Sequence, residues 1–368
     1  VWELKNIVPS LGRGKLLSER YLAFASTIDE VPESALNGTD KSCIYVLPGD
    51  HLEKKSDTLW VLNPKEATQF QELIQIVQQE HGLAGIFFIW AKKWDENCVD
   101  SHFGEEILLN AVSVLKGLKQ LQLQIPLWFL VQVPEKFSLV EFATPFSSVL
   151  NGFARSLFLE NPRLKGGIIE YDTESAPLVF QEISSDSKED QIRLIGKNRY
   201  VARLRNSPKQ ESTSLKLDKN GAYLISGGLG SLGLQTAEFL TLQGAGEIIL
   251  VGRTPPDQNA QEAIQRMEEL GAKVLFIQGD ITNQEDAERF FSNLRKNNCE
   301  LKGVIHAAGI VSSVSCIDLD EKLIHEMLVS KVIGAWNLHQ NTKEIPLDFF
   351  IMFSSISSLI GSTQLCLL

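Results

Sequence analysis

A chain of 368 residues is long enough for two or three domains with sizeable cores and has no need of a disulfide scaffold. Hydrophobic residues at 43%, charged residues at 22%, 26 glycines and 13 prolines belong to a folded globular protein and exclude disordered or collagenous classes. A formal charge of -11 repels phosphate backbones and anionic lipid, which sets nucleic acid and membrane surfaces aside as partners.

The chain opens on Val1, not Met, which fits a piece of a longer polypeptide. Glu3, Lys5, Arg13, Lys15, Glu19 and Arg20 leave no apolar core for a signal peptide. Short apolar runs then read as buried strands at residues 43–47, 58–62, 85–90, 126–132 and 167–171. All fall well short of the roughly 18 residues that cross a bilayer. Ile107, Leu108, Ala111, Val114, Leu115 and Leu118 recur at three- and four-residue intervals, as do Leu150, Phe153 and Leu157, so helices are expected over a parallel sheet. Residues 192–194 and 200–204, around Gly196, Lys197 and Asn198, read as a hairpin. A polar, aperiodic stretch containing Pro208 follows, so residues 1–206 are read as a first domain, 207–217 as a linker and 218–368 as a second domain.

The second half opens with a strand at 222–225, runs at once into Ser226-Gly227-Gly228-Leu229-Gly230-Ser231-Leu232-Gly233, and continues as a helix through Ala237, Phe239 and Leu240. Strand, glycine turn and helix come in the order a dinucleotide-binding unit needs. Strands at 248–251, 274–277, 304–305 and 349–353 alternate with helices around 260–270, 287–294 and 323–338. The fold class is therefore α/β, with two Rossmann-like units, the second a doubly wound parallel sheet. The five cysteines, Cys43, Cys98, Cys299, Cys316 and Cys366, are scattered without metal-ligand spacing and fit a reducing cytoplasm.

Gly228, Gly230 and Gly233 form a GxGxxG whose flanking strand and helix raise it above a chance turn. A pyrophosphate must approach backbone N–H groups at a helix N-terminus, and a side chain on the near glycines would block it. Twenty positions after Gly233 stands Arg253, where an acid would bond the 2′-hydroxyl of NAD and a guanidinium favours a 2′-phosphate, hence NADPH. The competing reading of Arg253 is a solvated loop arginine. Asp280, in Gly279-Asp280-Ile281-Thr282, has two readings: an acceptor for the adenine amino group, or an N-cap for the following helix.

Gly227 to Gly233, Gly252-Arg253, Gly279 to Thr282, His306-Ala307-Ala308-Gly309, the run from Lys331 to His339, and Phe353-Ser354-Ser355 resemble, in order and spacing, the ketoreductase domain of modular type I polyketide synthases, within the short-chain dehydrogenase/reductase superfamily. Residues 145–168 are similar to that family's structural subdomain, a truncated Rossmann-like fold without cofactor. The resemblance implies NADPH-dependent reduction of the β-keto group of an acyl thioester carried by an acyl carrier protein, with neighbouring synthase domains as further partners. It implies that Ser355 bonds the substrate carbonyl and Lys331 holds a proton-donating tyrosine and the ribose. Gly227, Gly228, Leu229, Gly230, Ser231, Leu232, Gly233, Arg253, Asp280, Ile281, Ala307, Ala308, Gly309 and Lys331 are the implied cofactor residues.

The family's tyrosine follows its serine by thirteen positions, and thirteen after Ser355 is Leu368. Gly361-Ser362-Thr363 is followed by Gln364-Leu365-Cys366-Leu367-Leu368, so a leucine takes the acid's place and cannot donate a proton. The expectation is an incomplete, inactive ketoreductase whose parallel sheet ends in an exposed edge. The alternative is a non-catalytic scaffold within a synthase module. Val311-Ser312-Ser313 and Ile360 stand where subtype signatures would, and neither product configuration is indicated.

Overall fold

The computed structural model describes residues 1–7, 20–27, 43–89, 102, 104–133, 145–185, 187–206, 217–297 and 299–367. In the first half, β1 (Trp2–Leu4), β2 (Arg20–Phe24), β3 (Cys43–Pro48), β4 (Glu53–Lys54), β5 (Leu59–Leu62), β6 (Leu83–Phe88), β7 (Leu127–Gln132), β8 (Lys165–Tyr171), β9 (Gln191–Ile195) and β10 (Asn198–Ala202) form one sheet in the order β1-β10-β9-β8-β7-β6-β2-β3-β5-β4. Neighbours from β5 across to β9 are parallel, and β4, β10 and β1 close the edges antiparallel. Strand β2 lies near the middle of this sheet. Its Leu22 and Phe24 enter one apolar layer and Tyr21 and Ala23 the other, as the two-residue period of a strand covered on both faces requires. Helices α1 (Ala67–His81), α2 (Glu105–Gln120) and α3 (Pro145–Glu160) cover the first face through Phe70, Leu108 and Phe153, and α4 (Ala176–Ile183) covers the second through Val179.

The second half carries β11 (Ala222–Ser226), α5 (Ser231–Leu242), β12 (Glu247–Gly252), α6 (Gln258–Glu269), β13 (Lys273–Gln278), α7 (Gln284–Lys296), β14 (Leu301–His306), α8 (Glu321–Leu328), α9 (Gly334–Thr342), β15 (Phe349–Met352) and the short α10 (Ser357–Ile360). Its strands are all parallel in the order β13-β12-β11-β14-β15. The order reverses between β11 and β14, and in such sheets a crevice opens at the strand ends at that point. The edge strand β15 leaves Ile351 and Met352 exposed.

Several expectations need correction. Strand β2 is not among the expected strands because Arg20 to Phe24 is a five-residue run without turn punctuation. The helix expected over 323–338 is interrupted by a π-helical segment, Val329–Ile333, between α8 and α9. The linker expected at 207–217 lies outside the described residues except for Leu217, as does Leu368.

The two halves share apolar packing. Ile324, Met327 and Leu328 of α8, together with Ile333, Cys316 and Leu367, enter the same cluster as Leu108, Leu115 and Phe153 of the first half. Polar ties reinforce it. Arg155 Nη1 donates to the Ser358 carbonyl at 2.5 Å, and the Ser362 N–H donates to Ser156 Oγ at 3.2 Å. Glu160 accepts from Ser315 Oγ at 2.7 Å and from the N–H groups of Cys316 at 2.9 Å and Gln364 at 2.8 Å.

Candidate active site

Between β11 and α5 the chain must turn sharply while keeping its N–H groups accessible. Gly227 adopts φ 68°, and a Cβ there would lie 2.7 Å from the Ala308 backbone. At Gly228 a Cβ would come 2.8 Å from the Ile225 carbonyl, and at Gly233 it would strike the Gly227 carbonyl. These three glycines are required by the protein's own packing. Gly230 differs: among the described residues its Cβ would meet only the Gly227 oxygen, at 3.3 Å, and its bare face is exposed. Gly230 is the N-cap of α5, which has neither a capping side chain nor an acid in its first turn. The helix N-terminus therefore keeps its uncompensated N–H groups and positive dipole end, as a bound pyrophosphate needs.

A groove of about 220 Å³ lies beside this turn. Of the residues expected at the cofactor, Gly227, Gly230, Arg253, Asp280, Ile281, Ala307, Ala308 and Gly309 line it. Gly228, Leu229, Ser231, Leu232 and Gly233 build the turn and the start of α5 instead. Thr282 and Ser330 also line the groove; only the structure places Ser330, one residue before Lys331 and with no motif of its own, at this wall.

Arg253 is exposed at the end of β12, and among the described residues its guanidinium has no hydrogen-bond or ion-pair partner. Asp280 does not cap the following helix. Asn283 is the N-cap of α7, accepting from the Asp286 N–H, while Asp280 Oδ1 accepts from the Thr282 N–H at 2.9 Å and Thr282 Oγ1 at 2.8 Å. This Asx turn fixes the groove wall, and Asn337 of α9 holds it by donating to the Ile281 carbonyl at 2.9 Å.

His306 takes a part that its motif did not reveal. It is buried at the end of β14, with Nδ1 2.6 Å from Ser226 Oγ and Nε2 3.1 Å from the Ser330 carbonyl. The neutral ring satisfies both contacts, Nε2–H donating and Nδ1 accepting. Burial holds its pKa below the ordinary histidine value, and hydrogen bonds to the backbone at Ser330 and Lys331 offset this in part.

Lys331 sits in the π segment, where the wider turn displaces it from a regular helical position. Its Nζ donates to the Leu367 carbonyl at 2.5 Å, and its stem lies against Gly309, whose Cβ would be 3.6 Å from Lys331 Cε. Burial pulls its pKa below the usual lysine range. Ser355 is half-buried after β15, and its Oγ accepts from the Ser357 N–H at 3.1 Å. No hydrogen bond joins Ser355 to Lys331 among the described residues.

Comparison with known proteins matches residues 221–366 to the family described as KR domain, and residues 26–186 to the family described as beta-ketoacyl synthase-like, N-terminal. The chain is 32% identical over 223 residues to polyketide synthase PksN of Bacillus subtilis (strain 168), a match covering 58% of this chain and 4% of that protein. It is 37% identical over 155 residues to a mycocerosic acid synthase-like polyketide synthase of Mycobacterium tuberculosis, covering 42% of this chain and 7% of that one. The chain thus spans a small part of the length of these relatives. An N-terminal ketoreductase from the macrolactin assembly line superposes with a TM-score of 0.83 at 23% identity, over 100% of this chain and 76% of that one. An A1-type ketoreductase gives 0.78 at 20%, over 100% and 75%. At these identities the likeness speaks to the fold, and it extends through both halves.

Proposed function

We propose, from the match of residues 221–366 to the family described as KR domain and the likeness to polyketide synthases, that this chain binds NADPH in the groove beside the Gly227 to Gly233 turn, for reduction of the β-keto group of an acyl thioester carried by an acyl carrier protein. The observation that carries the reading is a glycine turn packed too tightly for any Cβ at Gly227, Gly228 and Gly233 yet open at Gly230, beside an exposed Arg253 without a partner among the described residues. The open N–H groups of α5 bind pyrophosphate, and the Arg253 guanidinium forks onto a 2′-phosphate. Bound there, the nicotinamide supplies the hydride. Ser355, once its Oγ leaves the Ser357 N–H, donates to the substrate carbonyl as negative charge develops on oxygen. Lys331, its charge disfavoured by burial, is suited to contacting the ribose and tuning a neighbouring acid.

A second reading rests on that acid. Within residues 1–368 the tyrosines are Tyr21, Tyr45, Tyr171, Tyr200 and Tyr223, the position thirteen after Ser355 holds Leu368, and Lys331 Nζ is engaged by the Leu367 carbonyl. General acid catalysis contributes about 10² to 10⁴-fold. In this reading the chain retains the nucleotide but turns over little substrate, acting by its contacts to neighbouring synthase domains in the cytoplasm.

Titration with NADPH and NADH tests the cofactor. NADPH should bind more tightly, by roughly 10- to 100-fold from a charge-assisted pair worth about 1.5–3 kcal/mol, and Arg253→Ala should erase the difference. Equal affinities in the parent would remove the assignment. NADPH oxidation with a short β-ketoacyl thioester then separates the two readings: turnover dependent on Lys331 and Ser355 supports the reductase, and binding without turnover supports the scaffold.

A further inference from the structure

The sequence places His102 three residues before Glu105 and leaves His325 more than two hundred positions away. Folding brings all three together where α2 of the first half meets α8 of the second. His325 Nδ1 stands 2.6 Å from Glu105 Oε1, and His102 Nδ1 3.2 Å from Glu105 Oε2. One ligand atom from each residue lies within 4.8 Å of the other two. We propose that His102, Glu105 and His325 form a divalent-metal site of the zinc class, a clamp that ties α8 to α2 across the two halves.

Three features carry the assignment. The Glu105 side chain is only 6% exposed, and among the described residues its ion-pair partners are these two histidines, with no lysine or arginine. A buried carboxylate demands a compensating charge, and a divalent ion shared by two neutral imidazoles supplies it. The donor set of two imidazole nitrogens and one carboxylate suits zinc or its neighbours better than magnesium or calcium, which prefer oxygen. Two ligands at about 2.1 Å from a tetrahedral ion stand about 3.4 Å apart, so the 2.6 Å contact must open by less than an ångström. His102, with a side chain 74% exposed, leaves the fourth position open to water.

The site also has a consequence for the groove. α8 runs from His325 directly into the π segment that carries Lys331. Six helical residues rise about 9 Å, so a metal at His325 anchors the base of the element that presents Lys331 without touching it.

The test is metal uptake by the full chain. After chelator treatment, titration with zinc chloride should show one equivalent bound per chain and a raised melting midpoint. His325→Ala and His102→Ala should each lose that equivalent; His102 is exposed, so its variant keeps the fold intact even if a change at buried Glu105 does not. Cobalt(II) should give the d–d absorption of a nitrogen and oxygen site without a thiolate charge-transfer band, which distinguishes it from ions scavenged by cysteines. If wild type and both histidine variants take up the same amount of zinc, or if the cobalt spectrum is thiolate-like, the three residues are a proton-shared hydrogen-bonded bridge and the proposal is overturned.

Discussion

Each glycine of the turn answers to a different demand, and substitution should separate them. Gly227→Ala imposes a left-handed φ on alanine and drives its Cβ into the Ala308 backbone, so it should cost about 1–3 kcal/mol of stability, read as a lowered denaturation midpoint. Gly230→Ala meets only one oxygen at 3.3 Å and should fold nearly as well as the parent while weakening nucleotide binding. Loss of stability at Gly230 with binding intact would contradict the outward placement of that face. His306 makes a prediction in pH. Its folded pKa is depressed by burial, whereas in the unfolded chain it titrates near pH 6.5. The unfolded state then binds more protons in the interval between the two, so this contribution to stability is present above about pH 6.5 and is lost as pH falls through the folded value. Denaturant midpoints measured from about pH 7.5 to 5 should decline, and His306→Gln should flatten that decline.

At the scale of elements, α3 holds the segments that border the candidate active site. Glu160 at its end receives Ser315, Cys316 and Gln364, and Arg155, earlier on the same helix, reaches the Ser358 carbonyl just past Ser355. Gly361 turns with φ 75° so close to α3 that a Cβ would lie 2.8 Å from the Arg155 backbone. Removing the shared carboxylate with Glu160→Ala strands two N–H groups, a loss of about 1–3 kcal/mol. Amide exchange should accelerate at residues 314–316 and 362–366 while the strands of the first sheet stay protected. Unchanged exchange at both segments would show that apolar packing alone holds them.

For the whole molecule, the shared cluster ties the stability of the halves together. Met327 of α8 is 2% exposed, in the apolar cluster that α8 shares with α2 across the boundary, so Met327→Ala should cost about 2–5 kcal/mol and destabilise both sheets at once. Calorimetry of the parent should show a single transition. Two well-separated transitions, with only the second sheet responding to Met327→Ala, would mean that the halves stand independently.

Much of this architecture was legible in the sequence because it rests on local periodicity. The alternation of strand and helix from Ala222 to Phe353, the glycine turn and the helix through Leu150, Phe153 and Leu157 are each written within a few turns of chain, where one buried face dictates spacing. Strand β2 escaped because five residues flanked by no Gly or Pro carry too little pattern, and its central place is decided by what pairs on either side. The break at Val329–Ile333 escaped because apolar spacing alone does not distinguish a π turn from an α turn there. The candidate site divides the same way. Gly227 to Gly233 and Arg253 stand out in the sequence because binding of a dinucleotide phosphate, as proposed, would restrict residue type at fixed distances from a strand end, and Asp280 stands out by its place after the third strand of this half. The exclusion of Asp280 as a cap, the buried pairing of His306 with Ser226 and Ser330, the tether of Lys331 to Leu367 and the meeting of His102, Glu105 and His325 each depend on where the folded chain sets a side chain, and most of these partners stand tens to hundreds of positions apart. Residue type determines the chemistry available at a position, whereas tertiary packing alone decides which of those groups lose their water and meet.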